Sequence, residues 1–291
     1  ASAELKQKLF NEAIEKAKSA DLIIYIGGLN KDLYQDCEDA DRKTYGLSFG
    51  QNELISALAK IQKNIIVVNN GGSAYETPWI DEVKALVHIW YLGTMNGRAM
   101  VNILSGKVCP SGKLPITWGK KLDDYYFMQF GQEAYPGVNK QVYYKDGIYV
   151  GYRHFNTHNV KPQYPFGFGL SYTTFKYGKP TISAKEMTKD GKLTVTVDVT
   201  NTGKVAGKEI VQLYVGDEEC SVDRPTKELK SFTKLALEPG ETKTATFEIT
   251  EDMLQYWSET EHKFVSESGK FKAYVCASET DIKGTAEFTL K

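Results

Sequence analysis

Two features that mark common classes of protein are missing from this 291-residue sequence. Its four cysteines lie far apart and show no C-x-x-C or Cys/His ligand spacing, so neither a disulfide framework nor a zinc site is indicated. Lysine and arginine (36) balance aspartate and glutamate (37), and the formal net charge is −1. A protein without net charge has no long-range field that draws it to nucleic acid or anionic lipid. We therefore predict no nucleic-acid partner.

Long apolar runs and the common cofactor motifs are also missing. No stretch reaches the roughly 20 apolar residues that span a bilayer, and the first residues show no signal-peptide pattern. The turn 27–32 lacks G-x-G-x-x-G, and no G-x-x-x-x-G-K-[ST] occurs. The acidic stretch 32–41 lacks the sixth-position glycine and twelfth-position glutamate of a calcium loop. The sequence predicts a soluble protein without a membrane segment or nucleotide cofactor, and it leaves the compartment open.

The first part of the chain carries the pattern of an α/β domain. Up to about residue 121, apolar stripes of helical period alternate with short apolar runs, which are typical of strands buried on both faces of a parallel sheet. The predicted helices are 3–20, 51–61, 77–83 and 95–104, and the predicted strands are 21–26, 64–68, 85–90 and 113–118. This alternation predicts a three-layer α/β sandwich with a mostly parallel sheet over residues 1–122.

The last part of the chain has a different period. From about residue 181, apolar and polar residues alternate with a period of two, and turn signals separate the segments. The clearest predicted strands are 193–199, 209–215, 242–249 and 269–277. They predict an all-β domain of two sheets over residues 175–291. Residues 123–174, rich in tyrosine, phenylalanine and glycine, are interpreted as a connector packed on the α/β domain.

The first strand-to-helix connection is the main candidate for a functional site. Ligands of open α/β sheets bind beyond the carboxyl ends of the strands. Residues 27–50 form a 24-residue connection where two to six residues are usual, and long loops are often functional. Five carboxylates lie in it just before Arg42, namely Asp32, Asp36, Glu38, Asp39 and Asp41. Their proximity is compatible with general acid/base catalysis, with a solvated charge run or with a metal site.

Two other polar residues lie near the predicted strand ends. Gly71-Gly72-Ser73 follows a strand without forming the G-x-S-x-G elbow, so Ser73 is predicted to be structural. His88 lies inside an apolar strand and is predicted to be a hydrogen-bonded core residue rather than a base or a ligand.

An ordered series of segments carries a family resemblance. In one-letter code they are ADLIIYIGG at 20–28, CEDADR at 37–42, GQNELI at 50–55, WYLG at 90–93, PSGKLP at 110–115, GIYVGYR at 147–153 and FGFGLSY at 166–172. Together they resemble the second and third domains of family 3 glycoside hydrolases, in particular bacterial β-glucosidases. Residues 201–241 are similar to the family's fibronectin type III-like domain, and the resemblance covers nearly the whole chain.

The resemblance implies a retaining β-glycosidase whose active site lies between two domains. An (α/β)8 barrel would supply an aspartate nucleophile and most sugar contacts, and the α/β sandwich would supply a glutamate as general acid/base. By motif position that glutamate is Glu38. Asp41 and Arg42 would support it, Arg42 by pairing with an acid and Asp41 by accepting backbone N–H groups. Asp39, which stands where relatives often have glycine, is the alternative acid.

The implied barrel does not fit into 291 residues, so the nucleophile is expected outside this chain and the chain alone is expected to be inactive. We expect part of an exo-acting β-glucosidase that hydrolyses terminal β-D-glucosyl residues, as in cellulose degradation, with no cofactor and no metal. Its partners would be the barrel, in cis or as another chain, and a β-glucoside or oligosaccharide substrate. A β-xylosidase, another exo-β-glycosidase and a non-catalytic carbohydrate-binding or scaffold module are the alternatives, and a homo-oligomer is left open.

Overall fold

The computed structural model describes residues 2–30, 36 and 42–291 and divides into two compact units. The first comprises Ala1–Val101 and Gly119–Leu122, and the second comprises Asn102–Trp118 and Asp123–Lys291. The predicted connector, 123–174, falls within the second unit. Its packing on the α/β domain and the boundaries at 122 and 174 stay predictions.

The first unit is built on a parallel sheet, as the sequence predicts. Its strands are β1 Ile23–Gly28, β2 Ile65–Asn70 and β3 Ala85–His88, and its helices are α1 Ala3–Ala17, α2 Gln51–Ile61 and α3 Asn96–Leu104, the last of which continues into the second unit. All pairs are parallel in the order β1-β2-β3. The side chain of Ser2 caps α1 by accepting the Leu5 N–H, and α2 packs on both α1 and β1.

The central strand of this sheet, β2, is its most deeply buried strand. Ile65, Val67 and Val68 are fully buried, as expected for a strand covered on both faces. The same expectation is wrong for β1, where Ile24 and Ile26 are 45% and 63% exposed. The exposed Ile24 and Ile26 alternate with the half-buried Ile23 and Tyr25, so one face of β1 is more exposed than the other.

Two predicted elements of the first half are wrong. Residues 77–83 form only a single 3₁₀ turn, Ile80–Glu82, where the buried Trp79 is held by the Asn52 side chain at 2.8 Å. Residues 113–118 do not form a regular strand. They make separated backbone bonds to 163–168 and one bridge, between Trp118 and Tyr164, since Pro115 has no N–H to continue a ladder.

The second unit contains a short helix and a two-sheet β-sandwich. The helix is α4 Tyr152–Thr157, and the strands are β4 Phe175–Tyr177, β5 Thr181–Ile182, β6 Glu186–Met187, β7 Lys192–Asn201, β8 Gly207–Asp217, β9 Glu228–Leu237, β10 Thr242–Thr250, β11 Tyr256–Ser258, β12 Lys263–Val265, β13 Gly269–Cys276 and β14 Ile282–Leu290. One sheet has the order β10-β7-β4, with β5 also paired to β7, and the other has the order β6-β14-β13-β8-β9. The strands β11 and β12 form a separate hairpin.

The sandwich core follows directly from the period of two. Alternate residues of β7 and β10, such as Val195, Val197 and Phe247, meet alternate residues of β8 and β13, such as Leu213 and Phe271. All five are at most 3% exposed. Their burial explains why the alternating segments of the sequence predict this domain correctly. Within the part of the chain that the structure describes, no helix is long and apolar enough to cross a bilayer.

Candidate functional site

The long connection after β1 is closed at its base by a reciprocal pair of hydrogen bonds. The Gly28 N–H donates to Gln51 Oε1, and Gln51 Nε2 donates to the Gly28 carbonyl, both at 2.8 Å. Gln51 begins α2, so the two ends of the connection meet at this pair. Gly28 has a positive φ of 118°, and a Cβ there would lie 1.9 Å from the Asn70 carbonyl oxygen. This close approach of β1 to β2 requires glycine.

Asp36 is the described acidic residue of this connection, and its carboxylate accepts three hydrogen bonds. The Gly72 N–H donates to Oδ2 at 2.7 Å, the Tyr91 hydroxyl donates to Oδ2 at 2.6 Å, and the Ser73 hydroxyl donates to Oδ1 at 3.3 Å. Gly72 and Ser73 follow β2, whereas Tyr91 follows β3. The carboxyl ends of two strands therefore meet the long connection at one side chain, where open α/β sheets bind ligands.

Arg42 lies six positions further along the connection and binds the same turn. Its Nη2 donates to the Ala74 carbonyl at 2.6 Å and to the Ser73 hydroxyl at 3.3 Å, and its Nη1 donates to the Tyr45 carbonyl at 3.4 Å. Its guanidinium also lies 5.8 Å from the Tyr45 ring centroid. The described partners of Arg42 are backbone carbonyls, a hydroxyl and an aromatic ring, and its pairing with an acid stays a prediction.

The turn 72–74 therefore contacts Asp36 and Arg42, the described residues on either side of 37–41. Ser73, predicted to be structural, both donates to Asp36 and accepts from Arg42. Gly72 permits the close approach, because a Cβ there would lie 3.0 Å from Asp36 Oδ2 and 3.1 Å from Tyr91 Cε2. Any side chain at Gly72 would push these groups apart.

Tyr91 is the residue of this site that the sequence reasoning missed. Its motif, WYLG, supports the family resemblance, but the role of its hydroxyl depends on a partner 55 residues away in the chain. Its position directly after the carboxyl end of a parallel strand is the signal that could have indicated it. Burial, together with the hydrogen bond and the negative charge of Asp36, raises the pKa of Tyr91 above its usual value. The phenol therefore stays protonated and remains a donor at neutral pH.

His88 has a structural environment at the end of β3. Its Nδ1 lies 3.2 Å from the Tyr75 hydroxyl, and Tyr75 is fully buried. Burial lowers the pKa of His88 to about 4, although the charge of Asp36 acts in the opposite direction. A histidine with this pKa is neutral at neutral pH, as expected for a core residue rather than a proton carrier.

The central predicted site residues, Glu38, Asp39 and Asp41, lie outside the described residues, as does Asp32. Their roles stay predictions. Among the described residues, no group of three or more histidine, cysteine, aspartate or glutamate side chains is arranged to hold a metal ion.

Two known domain families match this chain. Residues 2–172 match the Glycosyl hydrolase family 3 C-terminal domain, and residues 209–279 match a Fibronectin type III-like domain. The chain belongs to glycosyl hydrolase family 3. The matches confirm the family resemblance and the predicted fold class, an α/β sandwich followed by a fibronectin type III-like sandwich.

Curated relatives of this family 3 chain are named as β-glucosidases. A β-glucosidase of Bacteroides ovatus, BoGH3A, is 52% identical over 280 residues, which cover 96% of this chain and 38% of that protein. A β-glucosidase of Rhizobium radiobacter is 41% identical over 279 residues, which cover 96% of this chain and 34% of that protein. The chain thus spans little more than a third of the length of these relatives.

Solved structures of the family agree closely with this fold. A family 3 β-glucosidase of Bifidobacterium adolescentis is 37% identical with a TM-score of 0.90, over 98% of this chain and 41% of that one. DesR, a β-glucosidase of Streptomyces venezuelae in complex with D-glucose, is 35% identical with a TM-score of 0.91, over 98% of this chain and 36% of that one.

Proposed function

We propose that this chain is part of a retaining, exo-acting β-glucosidase and that it contributes the general acid/base, Glu38, to an active site completed by an (α/β)8 barrel. The barrel would supply the aspartate nucleophile and would be joined in cis or present as another chain. The relatives named as β-glucosidases support the proposed activity, and their greater length leaves room for a barrel domain.

The contacts of Asp36 and Arg42 support the assignment of the proton donor to the connection after β1. Asp36 and Arg42 stand on either side of residues 37–41, and both bind the turn 72–74 at the carboxyl end of β2. The described residues on both sides of Glu38 therefore contact one turn, in a connection whose base is closed by Gly28 and Gln51. A segment anchored on both sides is suited to carry a proton donor that must be held in a defined position.

The proposed reaction is a double displacement. In the first step the barrel aspartate attacks the anomeric carbon, and the Glu38 carboxylic acid gives its proton to the departing glycosidic oxygen. In the second step the Glu38 carboxylate takes a proton from water as the water oxygen attacks the anomeric carbon and displaces the aspartate. A retaining pair of this kind requires carboxyl groups about 5–5.5 Å apart. Asp41 and Arg42 would fix the segment, and Asp39 is the alternative acid.

The experiment compares the chain alone with the chain assembled with its barrel, using an unactivated β-glucoside such as cellobiose. We expect no turnover by the chain alone, turnover by the assembly, and a loss of roughly 10²- to 10⁴-fold in the assembly that carries Glu38→Gln. Asp39→Asn is the matched control. Greater loss with Asp39→Asn than with Glu38→Gln would transfer the role to Asp39, and full activity of both variants would contradict the proposal.

A further inference from the structure

Asp36 joins two parts of the sheet edge that are distant in the sequence. Its carboxylate accepts from the turn after β2 and from Tyr91 after β3, while the residue itself belongs to the connection after β1. The two bonds to Oδ2 measure 2.6 and 2.7 Å, the short lengths typical of charge-assisted hydrogen bonds. Asp36 thus links the connection that follows β1 to the segments that follow β2 and β3.

Tyr91 contributes to this link from an exposed position. Its side chain is 49% exposed, yet its hydroxyl donates to a carboxylate and its ring edge lies against Gly72. The hydrogen bond to Asp36 is the contact that ties the Tyr91 hydroxyl to the long connection. The proton balance of the proposed reaction does not involve this hydroxyl.

We propose that Tyr91 is a positioning residue, which fixes Asp36 on the turn 72–74 and thereby sets the placement of the proton donor two residues further on. This inference rests on the proposed role of Glu38. Arg42 provides the second anchor, on the other side of the segment, through Ala74 and Ser73. Asp36 and Arg42, the described residues on either side of 37–41, are thus both held by the turn 72–74, and fixing the neighbours of a functional residue is a general way to hold it in position.

The position of a general acid matters strongly for rate. A proton donor must come within about 2.6–3.2 Å of the oxygen that it protonates. A displacement of about 1 Å, caused by a change away from the chemistry, can cost on the order of a hundredfold in rate. Loss of the Tyr91 hydroxyl would release one of the three donors to Asp36, so its effect should be partial and confined to the steps that need the donor.

The contact between Tyr91 and Asp36 can first be tested without measuring enzyme activity. In the chain alone, labelled with ¹³C at tyrosine Cζ, the Tyr91 signal is assigned by its loss in Tyr91→Phe. We expect Tyr91 to ionise at a higher pH than an ordinary tyrosine, whose pKa is about 10, and to ionise at lower pH in Asp36→Asn than in the natural chain. An unchanged titration in Asp36→Asn would contradict the contact on which the proposal depends.

The kinetic test uses Tyr91→Phe in the chain assembled with its barrel. Tyr172→Phe is the matched control, since Tyr172 is 51% exposed and its hydroxyl also makes one hydrogen bond, to the Ile103 carbonyl at 2.9 Å. For Tyr91→Phe we expect kcat on cellobiose to fall about tenfold with little change in KM. The first step on 2,4-dinitrophenyl β-glucoside should change less than about twofold, because that leaving group needs little protonation.

A third readout separates positioning from a general loss of structure. Azide attacks the glycosyl-enzyme without base assistance, so added azide should accelerate the second step of Tyr91→Phe and yield β-glucosyl azide. Equal losses on both substrates, with no effect of azide, would show a merely structural role and overturn the proposal. Wild-type kinetics of Tyr91→Phe beside an impaired Glu38→Gln would overturn it while leaving the proposed function intact. An unimpaired Glu38→Gln would refute the proposed function itself.

Discussion

Arg42 donates a hydrogen bond to the hydroxyl of Ser73 at 3.3 Å, and the same hydroxyl donates to the carboxylate of Asp36 at 3.3 Å. One small side chain therefore connects the two described residues that flank 37–41. A charged donor on one side and a charged acceptor on the other fix the direction of the hydroxyl proton. The prediction that Ser73 is a structural residue agrees with this geometry. The structure that Ser73 stabilises is that of the candidate site itself.

Ser73→Ala should remove the hydroxyl that connects Asp36 with Arg42 without unfolding the protein. The variant loses two hydrogen bonds to charged groups at a half-buried position, so the free energy of unfolding should fall by about 1–2 kcal/mol in urea titrations. In the assembled enzyme, kcat on cellobiose should fall severalfold. Ser105→Ala is the control, because the Ser105 hydroxyl makes one exposed bond to the Asn102 carbonyl. Equal behaviour of the two variants would show that the shared hydroxyl has no special role.

Gln51→Leu should open the base of the long connection. Leucine has a similar size but leaves both the N–H and the carbonyl of Gly28 without their present partner, in a half-buried environment. We expect a loss of about 1–3 kcal/mol in the free energy of unfolding. The Gly28 amide should also exchange with deuterium faster in this variant. Gln7→Leu, on the exposed face of α1, serves as control and should change stability by less than about 0.5 kcal/mol. A loss no larger than that of the control would contradict the role of this pair.

His88 should make the stability of the protein depend on pH between about 6.5 and 4. Its pKa is about 4 in the folded chain and about 6.5 when unfolded, so in this window the unfolded state binds a proton that the folded state does not. The contribution is fully present above pH 6.5 and is lost as the pH falls towards 4, by up to about 3 kcal/mol.

The measurement compares urea unfolding at pH 7 and pH 4.5 for the natural chain and for His88→Gln. The difference in stability between the two pH values should be smaller in the variant, because the remaining titrating groups are common to both. His262→Asn, at an exposed position with a positive φ, is the control. The same pH dependence in the natural chain and in His88→Gln would show that His88 is not responsible.

The open face of β1 should make the chain alone associate with itself. Ile24 and Ile26 of the strand, and Leu22 just before it, recur at every second position and are 45%, 63% and 44% exposed. Parallel strands are usually covered on both faces, and an exposed apolar edge strand promotes association. Ile26→Lys should lower the association seen by sedimentation velocity, whereas Ile282→Lys, which replaces an isoleucine that is 44% exposed in the second unit, should not. Identical sedimentation of both variants would contradict this role of β1.

The elements with a clean hydrophobic period could be predicted from the sequence. Helix α2 has the predicted bounds, 51–61, because Ile55, Leu58 and Ala59 form the buried stripe that the period indicates. Strands β7, β8, β10 and β13 follow from strict alternation. Strand β9, at the edge of its sheet, was not predicted, since most of its residues are partly or fully exposed and its alternation is weak.

The contacts of the candidate site could not be predicted in the same way. The bond between Asp36 and Tyr91 joins residues 55 positions apart, and it depends on β3 lying beside β2 in the sheet. No local pattern encodes such a pairing. The sequence could indicate the long connection and its acids, and the family motif assigned the proton donor, but only the fold brings Gly72, Ser73 and Tyr91 to Asp36.

The most direct test of the account is the rate of each step in the assembled enzyme carrying Glu38→Gln, with 2,4-dinitrophenyl β-glucoside as substrate. We predict a burst of dinitrophenol close to that of the natural enzyme, then slow turnover that azide accelerates with formation of β-glucosyl azide, because only the second step still needs the carboxylate. Steady turnover at the natural rate, with no burst and no effect of azide, would contradict the assignment of Glu38 as general acid/base.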